Sequence, residues 1–208
     1  MTDAYVLREM VESEQTEFVE LLRGLTSEQW AAPSLCRGWS VHEVVIHIAL
    51  HAHSTAPQRV AQLARLGFSE DRQLESEGRR TTDELINWLA SPAKLAGPTN
   101  ILTQLSELVV HQQDVRRPLG IPRPPSADRL SVVLDFGLTI VGGPSVASAR
   151  RRAKGLRLVA TDIGWFAGNG PEVRGPGEAI FMALNGRADA LNDLSGTGTD
   201  VLAGRMPA

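Results

Sequence analysis

Apolar residues recur at helical spacing through most of the first two thirds of the chain. Val6, Leu7, Met10, Val11, Phe18, Leu21 and Leu22 fall among Glu and Arg, which predicts an amphipathic helix over Asp3 to Leu25. Thr26-Ser27-Glu28-Gln29-Trp30 opens a short turn or helix, and Ala31 to Gly38 reads as a loop. Ser40 with Glu43 fits a capping box, in which the hydroxyl and the carboxylate each satisfy a free backbone N–H, so a second long helix starts there. Thr81 with Glu84 repeats the signature before Leu85, Ile86, Trp88 and Leu89. Residues 59–80 between them are partly helical and end in a charged segment. Pro98 and Gly120 bracket a helix from about Thr99 to Arg117. Pro122, Pro124 and Pro125 form a stiff linker, and Ser126 to Val141 is another helix, broken by Gly142-Gly143-Pro144.

After Arg152 the period changes. Leu156 to Thr161 alternates apolar and polar, as a half-buried strand does, and the turn-rich stretch from Gly164 to Gly170 leads to a partner strand at Glu172-Val173-Arg174. Gly168-Asn169-Gly170 is read as the hairpin turn between them. Pro176 opens a helix through Leu184, closed by Asn185-Gly186. The expected architecture is a mainly α domain over residues 1–150, followed by a compact α+β domain over 151–208.

Composition narrows the function classes. The chain has 208 residues, 42% hydrophobic and 22% charged, with a net charge of -3. No basic surplus asks for nucleic acid or an anionic membrane. No apolar run approaches the roughly 18 residues that span a bilayer. The N-terminal stretch lacks a signal pattern, and the single cysteine, Cys36, excludes an internal disulfide and a Cys-based zinc site. A cytoplasmic monomer or homodimer acting on small molecules is expected.

Candidate chemistry lies at the edges of two apolar stripes. In the helix from Val41, the stripe is Val41, Val44, Val45, Ile48 and Ala52, with His47 at its edge and His51 one turn on. In the helix from Ile101, the stripe is Ile101, Leu105, Leu108 and Val115, with Glu107 and His111 at its edge. Four residues apart, Glu107 and His111 stack on one helix face. A histidine from the neighbouring helix, His47 or in reserve His51, completes a two-His, one-carboxylate set that leaves a coordination position open. The bland alternative is that each is a hydrogen-bonded boundary residue. His42-Glu43 with His47 is no zinc-protease motif, because histidines five apart point about 140° from each other. Asp114 is read as a solvated carboxylate or as a group orienting an imidazole, and Cys36 as a buried loop residue.

Pro33-Ser34-Leu35-Cys36-Arg37-Gly38-Trp39-Ser40-Val41 followed by His47 resembles the N-terminal part of the mycothiol-dependent maleylpyruvate isomerase family, within the DinB-like superfamily of metal-binding four-helix bundles. Glu107 to Gly120 is similar to the family's second signature. Leu158 to Trp165, Val173 to Pro176, Asn185-Gly186-Arg187 and Leu194-Ser195-Gly196 resemble its small, sterol-carrier-like C-terminal domain.

The resemblance implies metal ligands at His47, Glu107 and His111, favouring His47 over His51. It also implies a divalent metal, with zinc the first choice, and the thiol mycothiol or a similar low-molecular-weight thiol. An activity-bearing arginine falls on Arg187 first and Arg174 second. The implied function is a metal-dependent thiol transferase or cis–trans isomerase. Its rivals are a non-catalytic binder of an apolar or thiol-conjugated ligand and a metal-assisted hydrolase.

Overall fold

The structure is a computed structural model that describes residues 3–67, 69–139 and 144–207. It divides into two compact units, Met1–Pro122 and Arg123–Ala208.

The first unit is built on helices α1 (Ala4–Arg23), α2 (Ser27–Ala31), α3 (Val41–His53), α4 (Ala56–Arg65), α5 (Glu70–Glu77), α6 (Thr82–Ala90) and α7 (Pro98–Leu119). Helix α1 packs on α6 and α7, and α3 packs on the same two, which makes α1, α3, α6 and α7 a four-helix bundle. Its core is drawn from one stripe of each helix, as the apolar spacing requires. Val11, Phe18 and Leu22 of α1 meet Val41, Val44, Val45 and Ile48 of α3, Leu85 and Leu89 of α6, and Ile101, Leu105 and Leu108 of α7, all fully enclosed.

The helix ends follow their local chemistry. Ser40 with Glu43 and Thr81 with Glu84 form the expected capping boxes. Helix α7 begins with Pro98 at its first turn. It closes in a Schellman arrangement, with Gly120 left-handed at φ 66°, its N–H on the Arg117 carbonyl and the Ile121 N–H on that of Arg116. No helix among the described residues is long and apolar enough to cross a membrane.

The second unit comprises α8 (Ala127–Leu138), α9 (Pro144–Ala153), β1 (Arg157–Ala160), β2 (Phe166–Ala167), β3 (Glu172–Gly175), α10 (Gly177–Leu184), a 3₁₀ turn (Ala188–Asp193) and α11 (Thr199–Ala203). The fold class is therefore mainly α, a four-helix bundle followed by a compact α+β unit. The division between units falls at Pro122, not near residue 150. Helices α8 and α9 pack on each other and on α10, so the proline-rich stretch after α7 marks the break, and the change of period at Arg152 is internal to the second unit. The expected end of the 126–141 helix and its Gly142-Gly143 breaker lie outside the described residues from 140 on.

Strand direction also differs from expectation. The sheet order is β2-β1-β3, with β2 antiparallel and β3 parallel to β1. Two-residue β2 takes the antiparallel place, so Gly168-Asn169-Gly170 carries the chain across β1 instead of closing a β1–β3 hairpin. The crossing is close: a Cβ on Gly168 (φ 75°) would stand 2.2 Å from the Leu156 carbonyl oxygen, and one on Gly170 would stand 2.3 Å from that of Gly155.

Candidate metal centre

Helix α7 presents Glu107, His111 and Asp114 along one face, since steps of four and three residues return to nearly the same direction at about 100° per residue. Helix α3 presents His47 toward the first two. His47 Nε2 lies 3.4 Å from Glu107 Oε2, and His111 Nε2 lies 3.3 Å from the same oxygen. The three ligand atoms all lie within 4.8 Å of one another. Donors bonded at about 2.0–2.1 Å to one tetrahedral ion stand about 3.3 Å apart. The spacing to Glu107 and the borderline-soft N/O donor set therefore fit a divalent cation with an open position.

The outer nitrogen of His111 is also engaged. Its Nδ1 stands 2.9 Å from Asp114 Oδ2, and that carboxylate is wholly buried. Asp114 is thus no solvated residue. Cys36 donates its thiol to the same Oδ2 at 3.1 Å, with the sulfur 3.5 Å from His111 Nδ1. The cysteine sits in a tight loop in which Pro33 and Ser40 pair across and Gly38 turns the chain at φ 82°. Pro118 explains how this loop is tied down. It lies in the last turn of α7 and has no N–H to return to the Asp114 carbonyl. The Leu35 N–H takes that carbonyl instead, at 3.1 Å. The loop also sets Trp39 beside His47, with ring centroids 5.2 Å apart.

Burial and partners work against each other at both ionisable groups. Burial pushes the Glu107 carboxyl up, but hydrogen bonds from His111 and His47 and the positive field of His51 hold it well below the usual carboxylate range. Burial pushes His111 down, but its bonds to Asp114, Cys36 and Glu107 hold it well above the usual imidazole range.

The other sequence candidates are more scattered. His51 stacks at 5.3 Å from His47 and belongs to neither ligand cluster found among the described residues, the second being Cys36, His111 and Asp114. Arg187 is half-buried and donates from Nη1 to the Asn185 carbonyl at 2.7 Å. Arg174 is exposed on β3, 3.5 Å from Glu172. Both belong to the second unit. Sequence reasoning missed the contact of Cys36 with α7, because a loop has no period from which to read a neighbour.

Comparison with known proteins places the chain in context. Residues 11–96 match the family described as the mycothiol maleylpyruvate isomerase N-terminal domain; His47 lies inside that stretch, and Glu107 and His111 lie beyond it. The fold is similar to the crystal structure of the mycothiol-dependent maleylpyruvate isomerase, with a TM-score of 0.55 and 12% identity over 95% of this chain and 94% of that one. It is equally similar to a histidine-to-alanine mutant of that enzyme, with a TM-score of 0.54 and 11% identity over the same shares. No curated protein matches the chain. Residues 11–96 are thus similar to the mycothiol maleylpyruvate isomerase N-terminal domain family, and the fold of the chain is similar to that of the isomerase.

Proposed function

We propose that this protein is a metal-dependent thiol transferase or cis–trans isomerase. It would use mycothiol or a similar low-molecular-weight thiol on a small, electrophilic, carboxylate-bearing substrate. The observation that carries the reading is the convergence of two imidazole nitrogens on one oxygen of Glu107, at 3.4 and 3.3 Å. The match of residues 11–96 to the family model and the similarity in fold to the isomerase support the thiol half of it.

His47, Glu107 and His111 would hold the cation, zinc being the first choice for this donor set. Bound there, it supplies a Lewis acid that favours thiolate over thiol and polarises a carbonyl. With one carboxylate among the three ligands, the loaded centre keeps a net positive charge, which suits anionic thiolate and carboxylate ligands. The Trp39 ring stands 5.2 Å from that of His47, tilted by 45°. Arg187 is assigned the substrate carboxylate, which a guanidinium holds by paired hydrogen bonds, and Arg174 is second choice. The reading keeps the chain in the cytoplasm, where small thiols stay reduced.

The test is metal content by elemental mass spectrometry on untagged protein, for wild type and His111→Ala. Thiol-dependent isomerisation of cis-unsaturated carboxylates is then assayed. About one equivalent of metal, lost in the variant, with turnover that requires thiol, supports the reading. A wild type that neither carries nor takes up zinc removes it, and turnover without thiol replaces it with metal-assisted hydrolysis.

A further inference from the structure

Resting on the metal reading above, we propose that Asp114 is the positioning residue of this centre and that Cys36 is a donor that holds Asp114 in place. A neutral imidazole can offer only one nitrogen as a ligand, and the partner of the other nitrogen decides which. An ionised carboxylate only accepts, so Asp114 Oδ2 at 2.9 Å requires the proton of His111 to sit on Nδ1. The lone pair is then on Nε2, the atom 3.3 Å from Glu107 Oε2.

The carboxylate itself has no exposed surface and needs donors of its own. Cys36 supplies one to the oxygen that His111 uses. The Asp114 backbone carbonyl accepts from the Leu35 N–H, so loop and helix meet at Asp114 through both side chain and main chain. Cys36, His111 and Asp114 also form a compact ligand-like cluster. Its separations of 2.9 and 3.1 Å to Oδ2 are those of hydrogen bonds, and shorter than two ligands of one tetrahedral ion with a thiolate would show. The arrangement is that of a support for His111, not of a second metal site.

The experiment is a spectrophotometric Co²⁺ titration of the metal-free full chain, for wild type, Asp114→Asn, Cys36→Ala and Cys36→Ser, with circular dichroism to check the fold. Nitrogen NMR of labelled histidine in metal-free protein, at a pH where His111 is neutral, reports which nitrogen carries its proton. Asp114→Asn is expected to bind Co²⁺ about 10–100-fold more weakly, with a shifted d–d spectrum. Cys36→Ala should lose roughly 3–10-fold, and Cys36→Ser, which keeps a donor, roughly twofold at most, on the same scale of outer-sphere effects.

A folded Asp114→Asn with wild-type affinity and spectrum would overturn the assignment and leave the metal reading standing. Should Asp114→Asn fail to fold, the two Cys36 variants decide, and equal affinities in Ala and Ser would overturn the role of Cys36. An intense sulfur-to-cobalt charge-transfer band, lost in Cys36→Ser, would make Cys36 a ligand and overturn its role likewise. If wild type binds no Co²⁺, the metal reading fails alone: a proton on Nδ1 of His111, lost from Nδ1 in Asp114→Asn, still upholds Asp114, and one on Nε2 in wild type overturns it.

Discussion

Helix α10 and the C-terminal half of α7 are both enclosed on every side, yet they are filled in opposite ways. All of Gly177 to Leu184 is buried, and apart from Glu178 that stretch is glycine, alanine and large apolar side chains. Leu108 to Arg116 is equally buried, but it carries His111, Gln112, Gln113, Asp114 and Arg116. The first solution uses the non-directional gain of burying hydrocarbon. The second must find a partner for each polar atom. Gln112 donates to Glu14 Oε1 at 2.8 Å and accepts from Arg116 Nε at 2.9 Å, so a buried amide bridges a buried carboxylate and a buried guanidinium. A hydrocarbon-filled helix tolerates exchange of similar shapes; a polar one specifies its neighbours individually.

That contrast can be broken from either side. The largest effect is expected in α10: Phe181→Ala should cost about 3–5 kcal/mol by denaturant unfolding, because it empties a fully packed position. Next comes His111→Ala in α7, which should abolish stoichiometric metal binding, a loss of at least about 100-fold, without a comparable loss of fold. Equal damage to stability from both substitutions would erase the distinction. Gln112→Leu keeps the volume and removes the bridge, and is expected to cost about 1–3 kcal/mol in the same unfolding assay.

The smallest effect concerns pH. His53, at the end of α3, is held below the ordinary imidazole range first by burial, with the Lys94 charge adding to this and a hydrogen bond at Trp88 opposing it. Its ring stacks 5.9 Å from that of Trp88. A base with a depressed folded pKa contributes stability that is present above its unfolded value, near 6.5, and lost as pH falls through the folded value. His53→Phe should therefore flatten the decline in melting temperature below about pH 6.5 relative to wild type. An identical decline in both proteins would remove His53 from the account.

The sequence discloses what has a period or a fixed local signature. The stripes of α1, α3, α6 and α7, the capping boxes at Ser40 and Thr81, and the shared face of Glu107 and His111 all follow from spacing. What it conceals depends on neighbours distant along the chain. Glu14 reads as one more surface carboxylate of an amphipathic helix, because its partner Gln112 lies on another helix. Asp114 reads either as solvated or as orienting an imidazole, because its other partner, Cys36, lies 78 positions away along the chain. The parallel pairing of β3 depends on a two-residue strand too short to leave a pattern, and α8 looks like another bundle helix because its apolar face does not announce which unit it serves.

Pro118 has a kinetic consequence. Because the proline leaves the Asp114 carbonyl to Leu35, the last turn of α7 and the Cys36 loop share a hydrogen bond that a regular helix would keep to itself. Fraying of that turn and detachment of the loop are then a single opening event. The Leu35 amide, although it lies in a surface connection, should exchange its hydrogen at the rate of the helix end it is tied to.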